Sequence, residues 1–390
     1  MSNSFSRILF IAKRECRRLI ANPVYVLGMV VFPILVTVLF TSLMDEGQPE
    51  EMPVGVVDLD NTSFTRKLTR SLDAFQTTHI VARYPNVEEA RKAMQQGTIY
   101  AFLYYPKGTT DALLSSRQPT ISFYYSYTSL TAGSLLFRDL KTISTLGSAA
   151  VGSATLKAKG LTDAQIGTFL QPIKIDLHTV ANPWVNYNVY LSTMLVPGCL
   201  LLFVFLITAY AFGMELKQNT SRQLIKIAGG KCWVAIAGKV LPHLLVHLAI
   251  FSLYLLYIYK VLHFPHEGGV GVIALLAVLS VMGSMGFAIF MFGLFPSLRM
   301  SMSMCSLWGV LSYSMVGTAF PTFAMDAPLE VLSNLFPLRH YFRIYQTCVF
   351  NGNALIYDWA NILALVVFAL LPLLVARSIR KAYSTYVYLP

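Results

Sequence analysis

The sequence predicts an α-helical polytopic membrane protein with one α/β domain inserted after its first span. Three observations carry this. Only 13% of the residues are charged and 55% are hydrophobic, against about 25% charged in soluble domains. Windows of about 20 apolar residues, enough to cross a bilayer as helix, recur along the chain. One interval of about 140 residues between the first two windows has soluble composition, enough for a domain.

Residues 1–23 read as a cytoplasmic amphipathic helix. Phe5, Ile8, Leu9, Ala12, Cys16, Leu19 and Ile20 share one face, and Arg7, Lys13, Arg14, Arg17 and Arg18 the other. Such a helix lies on an anionic leaflet. Asn22-Pro23 turns the chain into the first span, 24–44, which is too long and too far from the start to be a cleavable signal. Five more spans are expected at 189–214, 233–259, 270–295, 302–323 and 359–376, within a second membrane region of 186–378. Residues 328–352 are amphiphilic and predict two short helices that dip into the outer leaflet and return.

Charge sets the orientation. The basic residues before the first span are followed by Lys217, Arg222, Lys226, Lys231 and Lys239 after the second. Arg299 lies between the fourth and fifth, and Arg377, Arg380 and Lys381 follow the last. Alternate loops are therefore basic, which places both termini, including the tail 379–390, in the cytoplasm. The net charge of +11 is explained by topology, and no basic stretch is interleaved with aromatics, so no nucleic-acid role is expected. Of five cysteines, only Cys348 falls outside by this topology, so no disulfide framework is expected.

Residues 45–185 form the extracytoplasmic domain. Strands are expected at 53–58, 78–84, 98–104 and 119–127. A helical face at Phe64, Leu68, Leu72 and Phe75 and a capped helix opening at Asn86-Val87-Glu88-Glu89 separate the first three. Strand-helix-strand-helix-strand implies parallel pairing. From Ser129 to Lys159 the pattern turns helical, and Thr162 caps another helix, a stalk returning to the membrane.

The candidate chemistry is sparse. Gly229-Gly230-Lys231-Cys232 lacks the spacer and the Ser or Thr of a phosphate-binding loop, so the chain is not its own ATPase. His243 and His247 share a helix face at i, i+4, the spacing of a metal or proton site and also of ordinary cross-helix bonding. Asp58, Asp60 and Asn61 suit either a cation or the cap of the next helix. Tyr124, Tyr125 and Tyr127 alternate as strand residues packing on a core or as a stacking surface do. Apart from Lys239, the spans hold no Asp, Glu, Lys or Arg, which disfavours ion coupling. No nucleophile-base-acid set is present, so no catalysis is expected.

The charged loop 215–231 is the most informative segment. It reads Glu215-Leu216-Lys217-Gln218-Asn219-Thr220-Ser221-Arg222-Gln223-Leu224-Ile225-Lys226, with Gly238 and Lys239 just beyond. Together with Val56-Val57-Asp58-Leu59-Asp60-Asn61-Thr62-Ser63, Asn182-Pro183, Val196-Pro197-Gly198 and the stretch from Phe336 to Gly352, it resembles the ABC-2 type exporter permeases. The likeness is to the subfamily with a large extracytoplasmic domain after the first span. One departure stands out: that family's loop often reads Glu-Arg-Glu-x-Gly-Thr, and here Lys217 and Asn219 replace the second acid and the glycine.

The resemblance implies that 220–228 is a coupling helix docking on a cytoplasmic P-loop ATPase. Leu224, Ile225 and Ala228 would be its apolar face, and Lys217, Arg222 and Lys226 its charged rim. A topogenic loop acting by charge alone is the plainer alternative. The resemblance also implies an outer re-entrant segment carrying Pro337, Arg339, His340 and Arg343, and no cofactor in this chain, with ATP and Mg on the partner subunit. It further implies a second permease copy or close paralogue, a periplasmic adaptor with an outer-membrane channel, surrounding membrane lipid, and a bacterial inner membrane. The uncharged spans suit efflux of a hydrophobic or amphiphilic compound. The rival expectation is an ATPase-coupled mechanotransmitter or assembly protein without its own cargo.

Overall fold

The computed structural model describes residues 4–115, 117–173, 176, 178, 181–182, 185–318 and 320–385. The chain forms two compact units, one made of Met1–Asp45 with Thr179–Pro390 and the other of Glu46–His178. Pro183 and the last five residues of the expected tail lie outside the described residues.

The first unit opens with α1, Ser4–Ala21. Its buried stripe is Ile11, Ala12, Glu15 and Leu19, while Phe5, Leu9, Cys16 and Ile20 are exposed. The stripe packed against the rest of the unit is rotated from the apolar face expected to lie on the leaflet, and it carries an acid. Asn22 Oδ1 then accepts the Val24 amide at 3.0 Å, and Pro23 begins α2, Pro23–Leu43, which contains a π turn at Leu27–Val31.

The second unit is built on a four-stranded sheet of order β2-β1-β3-β4. Its strands are β1, Met52–Asp58; β2, Thr78–Arg83; β3, Ala101–Tyr105; and β4, Ser122–Tyr125. The first three pair in parallel and β4 is antiparallel to β3. The connecting helices are α3, Ser63–Asp73, α4, Val87–Gln95, and α5, Thr109–Leu114. Then come α6, Leu130–Ala158, and α7, Asp163–Leu170. Strand alternation splits the core in two. Val54, Val56, Leu103 and Tyr105 face α3 and α6 through Leu68, Leu72, Leu136 and Leu140. Val57 and Phe102 face α4 through Ala90.

Asp58 and Asp60 are spent on backbone. Asp58 Oδ1 accepts the amides of Asp60 and Asn61 at 3.1 and 2.8 Å, and Asp60 accepts those of Gly108 and Thr110 at 2.9 and 3.0 Å. Burial pushes the Asp60 carboxyl up, but the Thr110 hydroxyl, donating at 2.6 Å, together with these amides holds it below the usual carboxylate range. These bonds build the β1–α3 turn. Tyr124 stacks on Phe102 with centroids 4.5 Å apart, and Tyr125 packs against Phe137, so the alternating aromatics are placed on neighbours.

The first unit resumes with α8, Tyr187–Lys217, α9, Ser221–Ile227, α10, Cys232–Val261, and α11, Gly269–Leu294. These are followed by α12, Leu298–Met315, α13, Ala327–Ser333, α14, Pro337–Ile344, and α15, Leu355–Thr385. Among the described residues, five helices are long and apolar enough to cross a membrane: α2, α8, α10, α11 and α15. The most apolar windows of α8 and α11 are 67% buried, against 28–33% for the other three. These two are therefore the core of the unit. Glycine lets α15 approach α11 closely: a Cβ on Gly286 would stand 2.2 Å from the Phe368 carbonyl, and one on Gly293 would stand 2.4 Å from Val375.

α12 stops short of the span expected at 302–323. Gly317 takes φ +103 just beyond its end, and a 3-10 turn stands at Thr322–Ala324. In the other direction α15 overruns its expected end at 376, so much of the tail is helix. Residues 328–352 hold two short helices, α13 and α14, the second prolonged by a π turn at Tyr345–Phe350.

Candidate functional site

The candidate site is a buried ionic cluster where α1, the end of α8 and the start of α10 meet. Its geometry starts from glycine. A Cβ on Gly238 would stand 2.7 Å from Ile11 Cβ and 2.9 Å from the Ile8 carbonyl, so α1 and α10 cross at near backbone contact. The next residue, Lys239, is thereby brought onto Glu15, and neither side chain is exposed.

Lys239 Nζ donates to Glu15 Oε1 at 2.6 Å and to Glu215 Oε1 at 3.1 Å. Arg14 binds both oxygens of Glu215 at 3.0 Å, a bidentate fork. Arg18 pairs with Glu215 as well, and its other terminal nitrogen reaches Thr220 Oγ1 at 3.0 Å. His243 Nε2 lies 3.2 Å from Glu15 Oε1, and Tyr25 packs edge-on against the imidazole. Three fixed cations thus surround two carboxylates. Burial pushes the Glu15 carboxyl up, but Lys239 and the His243 hydrogen bond pull it further down, to about 2.

The turn after α8 completes the cluster. The Thr220 amide bonds the Glu215 carbonyl at 3.0 Å and the Asn219 amide the Leu216 carbonyl at 3.1 Å, with Asn219 left-handed at φ 55. This is a Schellman closure, which favours glycine and next accepts Asn. Asn219 therefore does the geometric work of the glycine missing from the resemblance. The closure swings Thr220 back so that its Oγ1 donates to Glu215 Oε2 at 2.5 Å. Beyond it, α9 is anchored by Ser221 Oγ donating to the Tyr383 carbonyl at 3.1 Å, while Tyr383 Oη donates to the Phe212 carbonyl at 3.0 Å.

The residues singled out in the loop divide into two sets. Lys217, Arg222 and Lys226 are exposed, and Thr220 and Ile225 are half-buried. Glu215, Leu224, Gly238 and Lys239 are buried. The apolar face expected at Leu224, Ile225 and Ala228 needs correction. Leu224 and Ala228 belong to an internal cluster with Phe212, Val375, Ile379 and Tyr383, because α9 must itself be held against α15. Only the charged rim and part of Ile225 face outward.

Sequence reasoning missed Arg14, Glu15 and Arg18 as a set. A signal was present: Glu15 is the only acid in the first 44 residues, and Lys239 is the only Lys or Arg of the span expected at 233–259. Each is the partner the other lacks. His247 is buried, and its Nε2 has no hydrogen bond among the described residues. No group of His, Cys, Asp or Glu among those residues is arranged to hold a metal.

In the segment expected to be re-entrant, Pro337, Arg339 and His340 are buried and Arg343 is exposed. His340 bridges the Asn334 carbonyl at 2.8 Å and Asn361 Oδ1 at 2.9 Å, fixing α14 to α15. Trp308 Nε1 donates to the Leu335 carbonyl at 3.0 Å, tying α12 to the same segment.

Compared with known proteins, residues 24–377 match the family described as ABC-2 family transporter protein. No curated protein matches the chain.

Proposed function

The chain belongs to the ABC-2 transporter family, and from that premise we propose that it is the permease subunit of an ATP-driven exporter. ATP is hydrolysed on a separate P-loop subunit in the cytoplasm, and this chain moves a hydrophobic or amphiphilic compound outward across the cytoplasmic membrane. In this reading α12 is the sixth span, both termini are cytoplasmic, and the unit Glu46–His178 stands outside. Two copies, or this chain and a close paralogue, form the path. Handover to a periplasmic adaptor and outer-membrane channel belongs to the same proposal.

One observation carries the mechanical part. Glu215 sits in the last turn of α8, a core helix of its unit, and is bound at once to Arg14 and Arg18 of α1, to Thr220 before α9 and to Lys239 of α10. A push delivered on the exposed rim of α9 meets a rigid block and not a floppy loop. The push is therefore passed to α8 and α10 together.

The test is a charge reversal on the rim. Arg222→Glu with Lys226→Glu leaves every buried contact in place. It is expected to lower co-purification of the native ATPase about tenfold or more while leaving insertion and melting temperature unchanged. Undiminished capture of the ATPase by the double variant would remove the docking assignment.

A further inference from the structure

The sheet of the second unit has two edges, and only one of them is guarded. At β2 the Ile80 amide is taken by Asp73 Oδ1 at 2.7 Å. His79 stands 3.5 Å from the same carboxylate, and the exposed Arg83 ends the strand. A register shift against Val54 and Gly55 of β1 bends the strand as well. Charge and bulges of this kind keep sheet edges from pairing with other chains.

β4 has no such guard. Ser122, Phe123, Tyr124 and Tyr125 carry no charge, and the strand pairs with β3 in unbroken register. The Ser126 amide donates to the Tyr100 carbonyl at 2.9 Å. Antiparallel ladders alternate, so Tyr124 bonds to Phe102 and Ser122 to Tyr104, while the main chains of Phe123 and Tyr125 face away from β3. Among the described residues no hydrogen bond reaches the amide or carbonyl of either.

This edge is complementary to itself. When a second β4 runs antiparallel about a two-fold axis at Tyr124, each Phe123 meets the other copy's Tyr125, and the two Tyr124 meet each other. Every cross-strand pair is then aromatic, a favourable class of contact in sheets. Phe123 and Tyr125 lie on the face packed by α3 and α6, and Tyr124 on the face of Phe102. The pairs therefore form on both faces of the sheet.

We propose that the open edge of β4 pairs antiparallel with β4 of a second copy of this chain, joining the two sheets into one. The pairing supplies about four main-chain hydrogen bonds, two at each Phe123–Tyr125 contact. A contact made by the same patch on both copies closes as a dimer and leaves no β4 edge for a third. It rests on the two-copy reading for the presence of a second chain, and adds a place where the copies meet.

The first test needs no substitution. Hydrogen exchange resolved to single amides is measured on the full wild-type chain in detergent, with copies counted by native mass spectrometry. The Tyr124 amide, bonded within the sheet, is the internal standard. Phe123 and Tyr125 are expected to exchange as slowly as Tyr124, and exchange about tenfold faster at both overturns the proposal. A two-copy chain with fast amides removes this edge alone, whereas a one-copy chain removes the two-copy reading too.

The second test fixes the register. Positions facing each other on the axis stand about 4.5 Å apart between Cα atoms, within reach of a disulfide. Oxidised Tyr124→Cys should therefore give a cross-linked dimer about tenfold above wild type, whose native cysteines set the background. Ser122→Cys, on the same face, would stand about 14 Å from its counterpart and should remain at background. Phe123→Pro added to Tyr124→Cys removes an amide that β3 does not use, and should abolish the cross-link without lowering the melting temperature. No cross-link in Tyr124→Cys, equal cross-linking in Ser122→Cys, or a cross-link that survives Phe123→Pro overturns the pairing.

Discussion

Lys239 and Glu15 meet at 2.6 Å across 224 residues of sequence, with neither side chain exposed to solvent. A pair at that depth is held in place because each member would be stranded without the other. It fixes α1 on α10 with charge where an apolar contact would also have served. Glu215, bonded to the same ammonium, brings α8 into the arrangement.

Removing one partner should therefore cost more than removing both. Lys239→Met strands Glu15 and is expected to destabilise the chain by about 3–5 kcal/mol, whereas Glu15→Leu combined with Lys239→Met should recover much of that. Thermal or denaturant unfolding in detergent of the wild type, Lys239→Met, Glu15→Leu and the double variant closes a double-mutant cycle and gives the coupling. Strictly additive losses would show that the two groups do not act as a pair.

The cluster also sets an acid limit. Glu15 is held at about 2 in the folded chain, below its usual value of 4.5. The depressed value means that the stability it confers is complete above about pH 4.5 and is lost as pH falls toward 2. The loss is on the order of 3 kcal/mol when fully expressed. Melting temperature against pH should fall steeply over that window in the wild type and less steeply in Glu15→Gln. Identical slopes would show that the acid sensitivity originates elsewhere.

Much of this architecture is written locally and was legible. The apolar windows locate α2, α8, α10 and α11 because a membrane helix must be apolar throughout. The short apolar runs of β1 and β3 and the Asn86 and Thr162 caps are equally local signals. Misreadings arose where long-range packing decides. The spacing along α1 does not show which of its residues pack inside the unit, where Ile11, Ala12 and Glu15 are buried and Ile11 meets Gly238. Leu224 was placed outward because a short amphipathic helix does not reveal which surface receives its apolar side. In α12 the serines that dilute the span and the left-handed Gly317 look unremarkable until the helix is seen to end at Met315.

Asn219 offers a test confined to one backbone angle. At φ 55 a β-branched residue is strained, so Asn219→Val should cost about 1–2 kcal/mol, and Asn219→Gly should be neutral or slightly stabilising. If valine is tolerated as well as glycine, the closure that returns Thr220 to Glu215 is not under conformational control. The melting temperatures of the two variants decide the matter.

Gly238 is the most economical point at which to separate α1 from the rest. Any side chain there meets Ile11 and the Ile8 carbonyl, so Gly238→Val must push the two helices apart or unseat α1. Overpacking of this kind costs about 1–3 kcal/mol, but a second readout is more specific. Cys232, six residues earlier on α10, is buried, whereas Cys16 on α1 is already exposed. Labelling of the detergent-solubilised chain with a maleimide should modify Cys16 in the wild type and leave Cys232 slow. In Gly238→Val, Cys232 should become reactive while Cys16 is unchanged. Gly238→Ala, with one methyl group, should fall between the two. An unaltered Cys232 rate in the valine variant would mean that α1 does not depend on this crossing. The ionic cluster would then be holding the helix unaided, and Lys239→Met, not Gly238→Val, would be the substitution that releases it.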